Sequence, residues 1–190
     1  MRKLLVLLLV AAGAAGVSGC SVPVEAAPQS TPITPASLPV SDGQPSAEAS
    51  LPPVATVPAS LQFSGKTLDG DAYNAAALAG RPAILWFWAP WCATCASEAQ
   101  SIGDIAKEYQ GRLGILGIAG LGNNRDMHQF VSDLDVGDVP HLDDQAGVIW
   151  KKFKITQQSW YVLLDRGGAI TKTGYLDDLQ LTAEVKRLVA

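Results

Sequence analysis

This chain has few cysteines and histidines and a small net charge, and these features narrow the classes of protein to which it can belong. The 190 residues include three cysteines and two histidines, and the formal net charge is -4. Three cysteines are too few for a disulfide-stapled scaffold. The negative charge balance gives no reason to expect a nucleic-acid partner.

Aromatic residues are absent from the first 60 positions, whereas nine of the twelve prolines lie between residues 23 and 58. A segment of this composition buries too little surface to offset its ordering entropy. We therefore expect residues 20–60 to form a disordered linker and residues 61–190 to form one domain. A proline-rich peptide ligand is the alternative for the linker, but a clear PxxP array with basic flanks is missing.

Residues 1–19 have the features of an export signal. Arg2 and Lys3 precede an apolar run that is too short to span a bilayer comfortably, and Val17–Cys20 resembles a bacterial lipobox. This resemblance implies cleavage before Cys20 and lipidation of its thiol, which would anchor the chain to the outer face of the cytoplasmic membrane. Ordinary secretion with cleavage nearby, or an uncleaved anchor, are the alternatives.

The other two cysteines, Cys92 and Cys95, stand two residues apart between an apolar run and a helical pattern. A strand that delivers a Cys-x-x-Cys pair to the first turn of a helix is typical of dithiol–disulfide chemistry. A disulfide that closes so small a loop restricts the unfolded chain only slightly, so a purely stabilising role explains the pair poorly. Zinc would need four ligands. Besides these two cysteines, the chain has only two histidines and Cys20, which is expected to be lipidated. Haem attachment would need histidine where Ala96 stands.

Hydrophobic periodicity predicts an α/β order of elements: a βαβ unit followed by a ββα unit. Short strands or a hairpin are expected within 61–74, and Asn74 is expected to cap a short helix over 75–79. The remaining predictions are strands at 83–88, 113–119, 160–164 and 169–174, and helices at 93–110, 125–134, 145–153 and from Asp177 or Asp178 to Leu188.

Several sequence blocks together resemble the thioredoxin superfamily, in its TlpA/ResA/DsbE branch, and most of all secreted actinobacterial DsbE-like proteins. The blocks are residues 68–70, 78–82, 85–95, 98–99, 147–150 and 164–168. The resemblance covers about residues 61–190. It implies a thioredoxin-like fold with a central mixed sheet flanked by helices and a short N-terminal β-extension.

Cys92 is expected at a helix N-terminus, where free N–H groups and the helix dipole stabilise a thiolate. It is therefore predicted to attack and to form the mixed disulfide, and Cys95 to resolve it. Glu98 lies on the same helix face as Cys95 and resembles the glutamate of the branch, which modulates dithiol protonation. A solvated helix residue is the alternative. Contacts with the protein substrate, called the client below, are predicted for Trp91, Ala93, Thr94, Gln158 and Ser159.

Two positions depart from the superfamily pattern. Trp86 stands where many thioredoxins have a buried aspartate, which leaves Glu98 as the nearest base. Ser159 stands where the superfamily has a cis-proline facing the dithiol. We predict that the Gln158–Ser159 bond is either trans, with a reshaped loop, or cis and strained. Ser159 could hydrogen-bond a thiolate or admit an incidental metal, although no metal site is predicted.

Other polar residues are interpreted as structural. Trp88 is predicted to belong to the core, and the two histidines, His128 and His141, to be surface or structural residues. The acidic residues Asp133, Asp135, Asp138, Asp143 and Asp144 lack the spacing of a calcium loop, so a solvated face is expected.

The sequence predicts a membrane-tethered thiol–disulfide oxidoreductase outside the cytoplasm, oxidising or isomerising exported protein thiols. Its expected partners are those proteins, a membrane redox partner and the lipid bilayer through Cys20, and the chain is expected to be a monomer. The Cys92–Cys95 disulfide would be the redox group, without a further cofactor. A reductase of exported protein or apocytochrome disulfides, and a non-catalytic binding module, are the alternatives.

Overall fold

Two apolar runs form the centre of a five-stranded sheet in this computed structural model, which describes residues 56–190. Strand β3 (Ala83–Trp88) pairs in parallel with β4 (Gly114–Ala119), and all twelve residues of the two strands are buried. Apolar runs without polar alternation are typical of strands covered on both faces. The predicted signal peptide, Cys20 and most of the predicted linker lie outside the described residues.

Three further strands complete the mixed sheet, in the order β5-β4-β3-β6-β7. Strand β5 (His141–Asp143) is parallel to β4. Strand β6 (Trp160–Leu164) is antiparallel to β3, and β7 (Ile170–Gly174) is antiparallel to β6. Because β3 and β6 run in opposite directions, the end of β3 and the start of β6 lie at the same edge of the sheet.

Helices cover both faces of this sheet. They are α1 (Ala93–Glu108), α2 (Asn124–Asp133), α3 (Val148–Lys152) and α4 (Asp178–Val189). A capping box at Asp177, in which Asp177 and Gln180 bond each other's backbone N–H, fixes the start of α4. Within residues 56–190, no helix combines the length and apolar character that a membrane crossing requires.

The N-terminal β-extension is a separate hairpin of β1 (Ser64–Lys66) and β2 (Ala72–Asn74). The Asn74 side chain then accepts the N–H of Ala76 and caps a short 3-10 helix, Ala75–Leu78, as predicted. The predicted thioredoxin-like architecture, with a central mixed sheet, flanking helices and this extension, is therefore confirmed.

Alternation along β3 divides the interior into two cores. Ile84, Trp86 and Trp88 face the core that contains the apolar stripe of α1, together with residues of α2 and α4. Leu85 and Phe87 face the opposite core, beneath α3 and the N-terminal segment. Each fully buried large apolar side chain contributes about 1.5–3 kcal/mol to folding, so β3 is the energetic centre of the domain.

His141 is a structural histidine that ties the end of β3 to β5. Trp88 Nε1 donates to His141 Nδ1 at 3.2 Å, and His141 Nε2 lies 3.0 Å from the carbonyl oxygen of Val136. The carbonyl can only accept, so these partners fix the neutral tautomer with its proton on Nε2. Burial lowers the pKa of His141 to about 4. Both the prediction for this histidine and the placement of Trp88 in the core are confirmed.

One acidic residue corrects the prediction of a solvated face. Asp144 is buried, and its carboxylate accepts the backbone N–H groups of Val148, Ile149 and Trp150 at 2.8, 2.9 and 2.9 Å. It therefore satisfies the free donors at the start of α3. Asp133, Asp135 and Asp138 are exposed, as predicted, whereas Asp143 is half-buried and accepts a hydrogen bond from the Asn124 side chain.

The remaining differences from the predicted elements are local. Helix α1 ends at Glu108 instead of residue 110, and α3 is confined to Val148–Lys152 where a helix over 145–153 was predicted. Strand β5 was not predicted, because three residues are too few to show an alternating pattern. Pro140 directly precedes this strand.

Candidate active site

Cys92 lies at the point where β3 has ended and α1 begins. It is the N-cap of α1, with extended backbone angles, and its Sγ accepts the N–H of Cys95 at 3.0 Å. The two cysteines form a disulfide, with their Cα atoms 5.2 Å apart. The strand–loop–helix arrangement predicted from the spacing is therefore present.

The surroundings of Cys92 favour a thiolate once the disulfide opens. The first turn of α1 holds no acidic residue, and one of its free N–H groups, that of Cys95, bonds the Cys92 sulfur. Cys92 is 5 % exposed, whereas Cys95 is fully buried. An incoming thiolate therefore reaches Cys92 first, which fits the predicted division into an attacking and a resolving cysteine.

Glu98 lies one turn after Cys95 and is buried, with 3 % of its surface exposed. Trp86 Nε1 donates to Glu98 Oε2 at 3.1 Å, and Ser159 Oγ donates to Glu98 Oε1 at 2.5 Å. Burial raises the pKa of Glu98, and the two hydrogen bonds partly oppose that rise. The alternative of a solvated helix residue is wrong, because the carboxyl group is enclosed.

Tyr161 completes the enclosure from strand β6. It is fully buried, and its hydroxyl makes no hydrogen bond of good distance and angle with any described residue. Burial raises its pKa, and the neighbouring charge of Glu98 raises it further, so the hydroxyl keeps its proton. A buried carboxyl with a proton-bearing hydroxyl at hand suits a group that changes its protonation state.

The rim around Cys92 is formed by three exposed residues of the motif, Trp91, Ala93 and Thr94. Trp91 is 60 % exposed, and its indole Nε1 donates to the carbonyl oxygen of Leu121 at 2.6 Å. A groove of about 380 Å³ adjoins it, lined in part by Phe130 of α2. Large exposed aromatic side chains held in one orientation are typical of surfaces that contact a partner.

Ser159 lies immediately before β6. Its N–H donates to the carbonyl oxygen of Phe87 at 2.8 Å, and its φ of 64° lies in the left-handed region. No cis peptide bond occurs within residues 56–190, so Gln158–Ser159 is trans. Of the two predicted conformations, the trans bond with a reshaped loop is the one observed. The side chain of Gln158 is half-buried beside it.

The predicted lipidation residue, Cys20, lies outside the described residues. Within residues 56–190, no three His, Cys, Asp or Glu side chains form a group that could hold a metal ion. The Ser159 hydroxyl, considered above as a partner for a thiolate or a metal, instead bonds Glu98.

Sequence reasoning missed the roles of Trp86 and Tyr161 around Glu98. The sequence shows Trp86 only as a residue that replaces a buried aspartate. In the structure its indole N–H donates a hydrogen bond to the Glu98 carboxyl. The alternation of β3 places Trp86 on the same face as the apolar stripe of α1, which was a usable signal. For Tyr161 the local sequence gave no signal.

The fold and this dithiol site define a thioredoxin-like protein, and comparison with known proteins agrees. Residues 57–178 match the AhpC/TSA family, and the chain belongs to that family. Its resemblance to the DsbE-like branch is also confirmed by similar solved structures. MTB dsbF, in mixed oxidised and reduced forms, shares 41 % identity at a TM-score of 0.65, covering 70 % of this chain and 99 % of that one.

Two further relatives come from Mycobacterium tuberculosis. A secreted disulfide oxidoreductase, described as homologous to E. coli DsbE, is 33 % identical with a TM-score of 0.62, covering 68 % of this chain and 98 % of that one. The soluble secreted antigen MPT53 is 36 % identical over 111 residues, which is 58 % of this chain. The match spans 63 % of the length of that antigen.

Proposed function

We propose that this protein is a thiol–disulfide oxidoreductase that oxidises or isomerises the thiols of exported proteins through Cys92 and Cys95. The observation that carries the proposal is the Cys92–Cys95 disulfide at the start of α1, where a backbone N–H bonds the more accessible sulfur. The secreted disulfide oxidoreductase among the similar structures supports both the chemistry and an extracytoplasmic setting.

Oxidation of a client dithiol then proceeds in two exchanges. A client thiolate attacks Cys92 Sγ, the Cys92–Cys95 bond breaks, and Cys95 leaves with the electron pair as a thiolate. The second client thiolate attacks the client sulfur of the mixed disulfide, and Cys92 leaves as a thiolate. The client has lost two electrons and two protons. This protein has gained the two electrons, and the protons pass to its thiolates or to solvent.

Glu98 supports the first exchange in this proposal, by giving a proton to the departing Cys95 thiolate. In the reverse sense, its carboxylate takes the proton from Cys95 when that thiol attacks the mixed disulfide. The raised pKa of Glu98 suits the task, because the carboxyl then holds its proton at a pH where an ordinary glutamate is ionised. Trp91, Ala93, Thr94, Gln158 and Ser159 are proposed to border the client chain.

The test is oxidation of a reduced, unfolded ribonuclease by the purified oxidised protein. We expect one client disulfide for each Cys92–Cys95 disulfide consumed. Cys92→Ser should abolish the reaction. Cys95→Ser holds no disulfide and should not oxidise the reduced client, but its Cys92 thiolate should attack a client supplied with disulfides and accumulate the mixed disulfide, releasing a client thiolate. Ser97→Ala is the matched control, since this exposed hydroxyl bonds only the carbonyl oxygen of Thr94. Full oxidation by Cys92→Ser would contradict the proposal.

A reductase follows the same exchanges in reverse, with electrons supplied by a membrane partner to reduce exported or apocytochrome disulfides. In the oxidising direction, a membrane partner must instead accept the electrons. The buried Glu98 serves either direction, so the two candidates differ in the reduction potential of the couple.

We also propose that the exported protein is tethered to the membrane through a lipid on Cys20, with the domain a monomer outside the cytoplasm. The support is the sequence Val17–Cys20 at the end of the apolar run. Cys20→Ala should release the protein from membranes into the soluble fraction while it keeps client oxidation. Continued firm attachment of that variant would indicate an uncleaved anchor instead of a lipid.

A further inference from the structure

The Ser159 hydroxyl is the most closely bound neighbour of the buried Glu98 carboxyl. Its Oγ lies 2.5 Å from Glu98 Oε1, and both side chains are buried. The residue is held in the left-handed region while its N–H bonds β3. Serine adopts this conformation less readily than glycine, so the surrounding structure must hold it there.

Ser159 differs from the indole donor Trp86 in what it can do when Glu98 becomes protonated. The indole N–H of Trp86 can only donate, so it serves an oxygen that carries no proton. A serine hydroxyl rotates and both donates and accepts. Ser159 can therefore donate to the ionised carboxylate and accept from the protonated carboxyl, and the contact persists in both states.

We propose that Ser159 is a positioning residue for Glu98, whose hydroxyl sets the pH range in which Glu98 exchanges a proton with Cys95. This inference rests on the proposed function. When Cys95 leaves the disulfide with the electron pair, Glu98 gives it a proton and Ser159 donates to the resulting carboxylate. When Cys95 attacks the mixed disulfide, its proton passes to Glu98, Ser159 accepts from the carboxyl, and the client leaves as a thiolate.

The groups that face Glu98 give the sign of the effect. Trp86 approaches from β3 and Tyr161 from β6, and Asp178 at the start of α4 is the nearby charge. Burial raises the pKa of Glu98 most, Ser159, Trp86 and the nearby Tyr161 hydroxyl lower it, and the charge of Asp178 raises it. The hydroxyl's bond to the charged carboxylate is stronger than its bond to the neutral carboxyl, so removing the hydroxyl raises the pKa of Glu98 further.

The experiment compares Ser159→Ala and Ser159→Gly with the unaltered protein. Glycine tolerates the left-handed backbone, so Ser159→Gly removes the hydroxyl without strain even if Ser159→Ala folds poorly. The first readout is the titration of the Glu98 carboxyl in the oxidised protein, by carbon NMR. The second is the release of thionitrobenzoate from its mixed disulfide with Cys92, followed from pH 5 to 9.

We expect the Glu98 midpoint and the acidic limb of the release rate to move up together, by about one pH unit, in both variants. Ser97→Ala, which deletes a hydroxyl on the exposed face of α1, should move neither. Unmoved midpoints in Ser159→Ala and Ser159→Gly would overturn the inference. If the unaltered protein oxidises no client while the Glu98 midpoint still moves, the proposed function fails and the link between Ser159 and Glu98 stands.

Discussion

Lowering the pH from 7 to 4 is expected to destabilise this domain through one buried imidazole, His141. The folded protein holds the pKa of His141 at about 4, whereas an unfolded histidine titrates at 6.5. Above pH 6.5 the group is neutral in both states and contributes no pH dependence. Below it, the unfolded chain binds a proton that the folded protein refuses, so the free energy of unfolding falls with pH.

The magnitude follows from the difference between the two pKa values of His141, which is about 2.5 and corresponds to roughly 3 kcal/mol. The loss accumulates between pH 6.5 and 4 and then levels off. It is large beside the 5–15 kcal/mol stability that is usual for a domain. The cause is local: a protonated Nδ1 could no longer accept the indole N–H of Trp88, and the charge would be buried.

The assay is urea unfolding of the oxidised protein at several pH values, for the unaltered chain and for His141→Gln. The glutamine amide can accept from Trp88 and donate to Val136, but it does not titrate. The stability difference between the two proteins should shrink by about 3 kcal/mol between pH 7 and 4. His128→Gln, the control, should keep the fall. Parallel curves for His141→Gln and the unaltered protein would refute the reasoning.

Three other substitutions test the remaining structural arguments, each by urea unfolding. The raised pKa of Glu98 stabilises the folded state below about pH 4.5, and this stabilisation is lost as the pH rises through the folded pKa. Glu98→Gln should therefore gain stability relative to the unaltered protein between pH 4 and 8. A difference in unfolding free energy that stays constant with pH would contradict a raised pKa. Asp144→Ala should cost about 2 kcal/mol, since three backbone donors at the start of α3 lose their acceptor; a neutral effect would show that water replaces it. Gly117→Ala should cost about 1–3 kcal/mol, because its methyl group would overlap the imidazole of His141; unchanged stability would mean that the ring moves freely.

The elements that position the dithiol were predictable because their signals are local. The apolar run Ala83–Trp88 has the length and composition of a strand buried on both faces, and the spacing of Cys95, Ala99 and Ile102 marks the buried stripe of α1. The continuous apolar run ends before Cys92 and the helical spacing of apolar residues begins after it, which places Cys92 between strand and helix. A single sequence therefore sufficed to predict the α/β order and the redox pair.

The surroundings of Glu98 were not predictable in the same way. Its partners Trp86 and Ser159 are 12 and 61 residues away along the chain, and they meet it only once β3, α1 and β6 have packed. Asp144 was misassigned for a related reason. A carboxylate that caps a helix and one that faces solvent have the same local sequence, and only the burial of Asp144 against the first N–H groups of α3 distinguishes them.

The reduction potential of the Cys92–Cys95 couple tests the proposed function most directly. The purified protein would be equilibrated with glutathione buffers of graded composition, and its free thiols trapped and counted. A two-electron couple near about -150 mV is the result expected for a protein that oxidises client thiols. A couple at or below about -250 mV would contradict that direction and identify a reductase. A Cys92–Cys95 pair that reduced glutathione cannot reduce and oxidised glutathione cannot oxidise would contradict both directions.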